Sequence, residues 1–189
     1  MRVIAGTARS IPLAAPKGTD TRPTTDRIKE TLFNILQNDL PGAVFLDIFA
    51  GSGAMGIEAL SRGADRAVFV DMGRAAIDCI NANISKCRFN DRASVIKADA
   101  GAVSVYFGRL GLKKDERLII FMDPPYDKGA EIPVLRALSG MEGVGENCII
   151  IIEESLRCDM GFVRELGFEI YRTKEYKNQK HIFLRKAMG

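Results

Sequence analysis

The 189 residues are 47% hydrophobic and 27% charged, a globular mix long enough for a single domain with its own core, which excludes wholesale disorder. No uninterrupted apolar run exceeds the five residues of Cys148 to Ile152, so no helical membrane span is expected; Arg2, Gly6, Arg9 and Pro12 leave no signal-peptide core, and the expectation is a soluble, cytoplasmic protein. The net charge of +3 is uneven: residues 1–36 carry six basic and three acidic side chains, residues 172–189 six and one, and the middle 15 and 20, a pattern that points to a phosphate-rich partner held by the ends around a separately built site.

Residues 2–13 predict two short strands around a Gly6-Thr7-Ala8 turn, a small hairpin. After a polar loop, Pro23 and the Thr24-Thr25-Asp26 cluster mark a helix start, and Ile28, Leu32, Ile35 and Leu36 recur at helical spacing. From residue 43, strands and helices alternate. Strands are expected at 43–49, 67–70, 94–97, 118–122 and 148–153, and helices at 54–62, 74–86, 100–110 and 131–138. Continuous apolar runs, without alternation, indicate strands covered on both faces, as in a parallel sheet with helices on either side. A helix at 159–166 and a hairpin of strands 168–173 and 180–185 then close the sheet. The expected architecture is a single α/β domain over 1–189, with a mostly parallel seven-stranded sheet, an antiparallel C-terminal hairpin and a small N-terminal hairpin extension. Within it, 1–37 forms an amino-terminal unit and 43–189 the core.

Open parallel sheets bind ligands at the carboxyl ends of their strands. Four successive strands here each end in an acid: Asp47, Asp71, Asp99 and Asp123. Any one of them reads equally as a turn residue or helix cap, but four carboxylates at one rim repel each other and need another reason to be there. Gly51-Ser52-Gly53-Ala54-Met55-Gly56 follows the first strand and opens a helix, with Asp71 20 residues after Gly51. This pattern also fits a dinucleotide, so it supports an adenosine cofactor before it says which. Asp47 decides. A carboxylate beside a diphosphate is unfavourable, whereas it suits a ligand bearing an ammonium and a sulfonium. The cofactor read from the residues is S-adenosylmethionine (SAM), held by Asp47, Ala50, Gly51, Ser52 and Gly53, with Asp71 on the ribose hydroxyls, Asp99 and Ala100 at the adenine, and Met72 on one adenine face or in the core.

Asp123-Pro124-Pro125-Tyr126 is the most specific motif. Two prolines fix two φ angles and remove two N–H donors, so Asp123 and the carbonyls are presented as acceptors only. Such an array suits an exocyclic amine, whose lone pair is turned toward a methyl donor while Asp123 offsets the charge that develops on nitrogen. Tyr126 would stack on the base. Scattered Cys79, Cys87, Cys148 and Cys158, with His181 the single histidine, give neither a zinc pattern nor a Ser/His/Asp arrangement; no metal is expected, and His181 reads as strand packing or a surface contact. Arg9, Lys17, Arg22, Arg27 and Lys29 put positive charge on the amino-terminal unit, where it would track phosphates, and Thr24, Thr25 and Asp26 also serve as helix caps.

These residues resemble a known family. Asp47-Ile-Phe-Ala-Gly-Ser-Gly-Ala, the acid at Asp71 and Asp-Pro-Pro-Tyr resemble the SAM-dependent amino-methyltransferases. More narrowly, the Arg2-Val-Ile-Ala-Gly start and Arg22-Pro-Thr-Thr-Asp-Arg-Ile-Lys-Glu-Thr-Leu-Phe-Asn34 resemble the RsmD family, over nearly the whole chain. The resemblance implies a Rossmann-like fold and methylation of the N2 amine of one guanine in bacterial 16S rRNA, in the free RNA or the small ribosomal subunit. It also implies Asp123, Pro124, Pro125 and Tyr126 as catalytic residues and Arg9, Arg22, Thr24, Thr25, Arg27 and Lys29 as substrate contacts. Lys29 stands where the family more often has arginine, and Met72-Gly73 departs from its usual step. The motif around Asp123 leaves an adenine-N6 methyltransferase open, and a nicotinamide dehydrogenase or an inactive RNA binder are the remaining alternatives.

Overall fold

The computed structural model describes residues 1–16, 25–113, 115–126 and 128–187. Its strands are β1 (Val44–Ile48), β2 (Arg66–Asp71), β3 (Ala93–Lys97), β4 (Leu118–Met122), β5 (Cys148–Ser155), β6 (Phe168–Glu175) and β7 (Gln179–Lys186). They form one sheet in the order β3-β2-β1-β4-β5-β7-β6. The pairs from β3 to β5 are parallel, and β7 runs antiparallel to both β5 and β6. The helices are α1 (Asp26–Ile35), α2 (Ala54–Ser61), α3 (Arg74–Cys87), α4 (Val103–Phe107) and α5 (Glu131–Ser139).

The chain winds from β1 out to β3 and then returns to β4 on the other side of β1, so the crevice between β1 and β4 is the switch point of the sheet. Two apolar layers cover it. Phe45, Phe69, Phe121, Ile151 and Phe183 pack toward α1, α2, α3 and the amino-terminal segment, while Val44, Leu46, Ile48, Ile120 and Ile152 pack toward α4 and α5. Burial on both faces is why these strands read as continuous apolar runs. Strand alternation places Asp47 on the face of Phe45, under α2, and places Asp123, Glu153 and His181 on the face of Phe121, Ile151 and Phe183.

Three expected elements differ in detail. The amino-terminal hairpin has a single bridge, Arg2 to Pro12, in place of two strands. Pro12 has no N–H for a ladder, and the amides of Ile4, Ala5 and Ala8 bond to α2 side chains instead of to a partner strand. The helix expected over 100–110 starts at Val103 and ends as a 3-10 turn, Gly108–Leu110, because Asp99 Oδ1 ties up the Gly101 amide in a local turn. The helix expected over 159–166 is only a 3-10 turn, Gly161–Arg164, bounded by Gly161 and Gly167.

Candidate active site

The four acids lie at or just beyond the carboxyl ends of β1 to β4, with Asp47 and Asp123 flanking the switch point. Asp47, 1% exposed, ends β1 beneath the glycine turn, and its Oδ2 accepts from the Gly56 amide at 2.9 Å. Burial, with a smaller contribution from Asp71, pushes its carboxyl up to about 8, against the Gly56 bond. Phe49 adopts a left-handed conformation (φ 62°), rare for a bulky side chain, and Gly53 caps α2 at φ 74°, with room for a Cβ only 3.2 Å from Phe69. Asp71 joins two loops: Oδ2 accepts from Gly51 N at 2.9 Å and Oδ1 from Gly73 N at 2.8 Å. Ala50 is buried and Ser52 partly exposed beside it. Asp99 is exposed at the end of β3, next to Ala100, whose carbonyl accepts from Tyr106 Oη at 2.6 Å. Met72 is 67% exposed at the same rim, which excludes a core role for it.

Asp123 follows β4 directly. Burial and the negative charges of Glu153, Asp47 and Glu154 hold its carboxyl well above the usual carboxylate range. Pro124 is buried and Pro125 exposed. Tyr126 is 37% exposed, while its hydroxyl donates to Glu153 Oε1 at 3.1 Å. Glu153 was not singled out by the sequence, nor was its other bond, between Oε2 and His181 Nε2 at 2.8 Å. Glu153 and His181 are direct cross-strand partners on β5 and β7, an adjacency visible only once the strand order is known.

The amino-terminal unit is fixed against this rim. Glu58 on α2 is fully buried and accepts from Ile4 N, Ala5 N and Arg62 Nε at 2.8, 3.0 and 2.8 Å, with Lys29 Nζ at 3.0 Å. Ser61 Oγ accepts from Ala8 N and donates to the Ala5 carbonyl. Gly6 (φ 83°) approaches so closely that a Cβ would lie 1.8 Å from Ser61 O. Buried Asn83 donates to the carbonyls of Ser52 and Ala14 and accepts from Ala14 N, stitching the segment to the glycine turn.

This corrects one expected substrate contact. Lys29 is 1% exposed, and its Nζ bonds the Arg2 carbonyl and Glu58, so it is an internal strut with no reach to a phosphate. Thr25 Oγ1 accepts from Ile28 N at the start of α1, as a helix cap does. Arg9 and Arg27 are exposed. Lys17, Arg22 and Thr24 lie outside the described residues. The basic C-terminal end is also partly engaged within the fold: Lys180 Nζ bonds the carbonyls of Leu156 and Cys158, Lys186 Nζ that of Ser139, and Arg185 pairs with Glu169.

The charge of Asp71 raises the carboxyl of Asp47 and that of Asp47 raises Asp123, and among the described residues none of them, nor Asp99, pairs with a Lys or Arg side chain. A glycine turn over a buried acid that no side-chain cation balances, an acid spanning two loops and an exposed apolar Met72 fit an adenosine ligand whose own ammonium and sulfonium would favour the ionised form of Asp47.

A family model described as conserved hypothetical protein 95 matches residues 1–185. The Bacillus subtilis protein YlbH is 35% identical over 165 residues, covering 85% of each chain. Ribosomal RNA small subunit methyltransferase D of Escherichia coli K12 is 34% identical over 156 residues, 82% of this chain and 75% of its own. The solved structure of the Escherichia coli protein yhhF superposes with a TM-score of 0.80 at 28% identity, covering 100% of this chain and 99% of its own. With the sheet order, glycine turn and Asp-Pro-Pro-Tyr motif in place, the chain belongs to the RsmD family of SAM-dependent methyltransferases, on a Rossmann-like fold.

Proposed function

We propose that the chain transfers a methyl group from SAM to the exocyclic N2 amine of a guanine in 16S rRNA of the small ribosomal subunit, in the cytoplasm. The observation that carries this reading is the rigid acceptor turn from Asp123 to Tyr126, placed at the switch point beside the carboxylate-lined glycine turn. The kinship with a protein named for the small-subunit RNA supports the substrate.

When bound, SAM supplies an electrophilic methyl on a sulfonium. Backbone groups of Ala50, Gly51, Ser52 and Gly53 would hold its methionine end, with Asp47 beneath them. Asp71 would accept from the ribose hydroxyls, and Asp99, with Ala100 and Met72, would frame the adenine. Asp123 and the Pro124 carbonyl accept the two N–H bonds of the target amine, which directs the nitrogen lone pair at the methyl. With the methyl supplied by bound SAM, the surplus proton of the methylated amine would pass to the Asp123 carboxylate. A raised carboxyl makes Asp123, once ionised, a better acceptor for that proton. Pro125 keeps the turn rigid, and Tyr126 stacks on a base that has left its helix at a cost of a few kcal/mol. Arg9, Arg22, Thr24, Thr25 and Arg27 would hold the flanking phosphates.

The test is transfer of labelled methyl to unmethylated small subunits, naked 16S rRNA and DNA, followed by nucleoside analysis. N2-methylguanosine from RNA is expected; methyladenine overturns the target, and no transfer by SAM-bound protein overturns the activity. Asp123→Ala is expected to keep SAM affinity and to lower transfer by about 10²-fold or more. Asp71→Ala is expected to weaken SAM binding, and unchanged affinity removes its ribose role.

A further inference from the structure

We propose that Glu153 and His181 form a positioning relay that holds the ring of Tyr126 in the plane in which it stacks on the target base, an inference that rests on the proposed methyl transfer. The relay is continuous. The Tyr126 hydroxyl donates to Glu153 Oε1 at 3.1 Å, His181 Nε2 lies 2.8 Å from Glu153 Oε2, and the Tyr176 hydroxyl lies 3.2 Å from His181 Nδ1. Both ring nitrogens of His181 are thereby engaged, one on the Glu153 carboxylate and the other on the Tyr176 hydroxyl, so the imidazole is held at two points.

The burial gradient runs outward. His181 is 0% and Glu153 3% exposed, whereas Tyr126 is 37% exposed. His181 is itself held on both sides, edge-on to Phe121 with ring centroids 6.1 Å apart and to Tyr176 at 5.0 Å. A tyrosine on an exposed turn would otherwise rotate freely about its side-chain torsions; a hydroxyl anchored to a buried carboxylate fixes the ring before the base arrives, so that ordering is not charged against binding.

The position of Glu153 is hard to account for by stability alone. Its charge opposes that of Asp123, and an apolar pair across β5 and β7 would fill the same space without that repulsion. Sequence reading set His181 aside as packing, because the glutamate that links it to the site comes from a different strand.

The test compares Tyr126→Phe, which removes only the hydroxyl, with His181→Phe, which keeps a ring against Phe121 and Tyr176 but has no N–H. Each is expected to lower kcat/KM for the RNA about tenfold with SAM affinity unchanged, and the double variant is expected to be no worse than the weaker single one. Independent effects that multiply overturn the relay, as does a loss of SAM affinity in His181→Phe equal to its loss of transfer, which makes the pair purely structural. His181→Gln, which keeps an N–H directed at Glu153, is expected to recover most of the lost transfer, and no recovery counts against the relay. A readout free of catalysis separates the relay from the activity on which it rests. In protein labelled with ¹³C at tyrosine Cζ, the Tyr126 resonance, assigned by its loss in Tyr126→Phe, is expected to shift in His181→Phe. An unmoved resonance overturns the relay. A wild-type protein that makes no N2-methylguanosine overturns the activity instead, and the resonance still decides the relay.

Discussion

Burial raises the Asp47 carboxyl to about 8 although Gly56 N–H bonds to it, and this couples the stability of the ligand-free fold to pH. An unfolded chain releases that proton near pH 4, while the folded chain keeps it up to about pH 8. Between those values the folded state holds more protons, and its stability falls as pH rises. Asp47→Asn keeps an oxygen for the Gly56 amide and removes the titration. The variant is expected to gain in melting temperature over the parent as pH rises from 5 to 8, by about several degrees across the window. Calorimetry at fixed ionic strength checks this, and a pH-independent difference between the two proteins refutes it. Asp47, Asp71, Asp99 and Asp123 were all legible as strand-end acids, because a parallel sheet exposes its strand ends and little else. Glu58 and Glu153 were not: each looks like an ordinary helix or strand charge until the partner that buries it is placed in space.

The unit formed by the amino-terminal segment and α1 is locked to α2 through one buried carboxylate. Lys29 and Glu58 are 1% and 0% exposed in their side chains, with Arg62 completing the group. Removing Lys29 takes one of two cations from a fully buried carboxylate and leaves Arg62 alone to balance it, at a cost of up to about 3 kcal/mol. Lys29→Met is therefore expected to lower the urea midpoint strongly, and the Lys29→Met, Glu58→Gln double variant to recover part of the loss, because no lone charge then stays buried. A double variant worse than both single ones contradicts the lock. The strands β1, β2, β4 and β5 could be read from sequence because both their faces are apolar, whereas the amino-terminal strands could not form as expected. Pro12 offers no amide, and the α2 side chains Glu58 and Ser61 accept from those of Ile4, Ala5 and Ala8. The terminal helix failed for a local reason, since glycines at 161 and 167 leave too few residues between them to propagate a helix.

Across the whole molecule, the excess of positive charge at the chain ends overstates what is available to a polyanion. Lys29 is internal, Arg2 pairs with Asp26, and Lys180, Lys186 and Arg185 bond within the fold. Arg9 and Arg27 remain exposed on the unit that Asn83 and Glu58 hold beside the glycine turn. Each phosphate neutralised by a side chain contributes about 0.7 to the slope of log affinity against log salt for single-stranded nucleic acid. Arg9→Ala and Arg27→Ala should each flatten that slope by roughly that amount and weaken binding to 16S rRNA fragments without regard to sequence. Lys29→Met, measured below its unfolding transition, should leave the slope unchanged, since its ammonium never meets solvent. Filter binding between low and moderate salt distinguishes the two classes. A flattened slope in folded Lys29→Met would mean that the amino-terminal unit releases this lysine when RNA binds; an unchanged slope in both arginine variants would move the phosphate track away from the unit docked on α2.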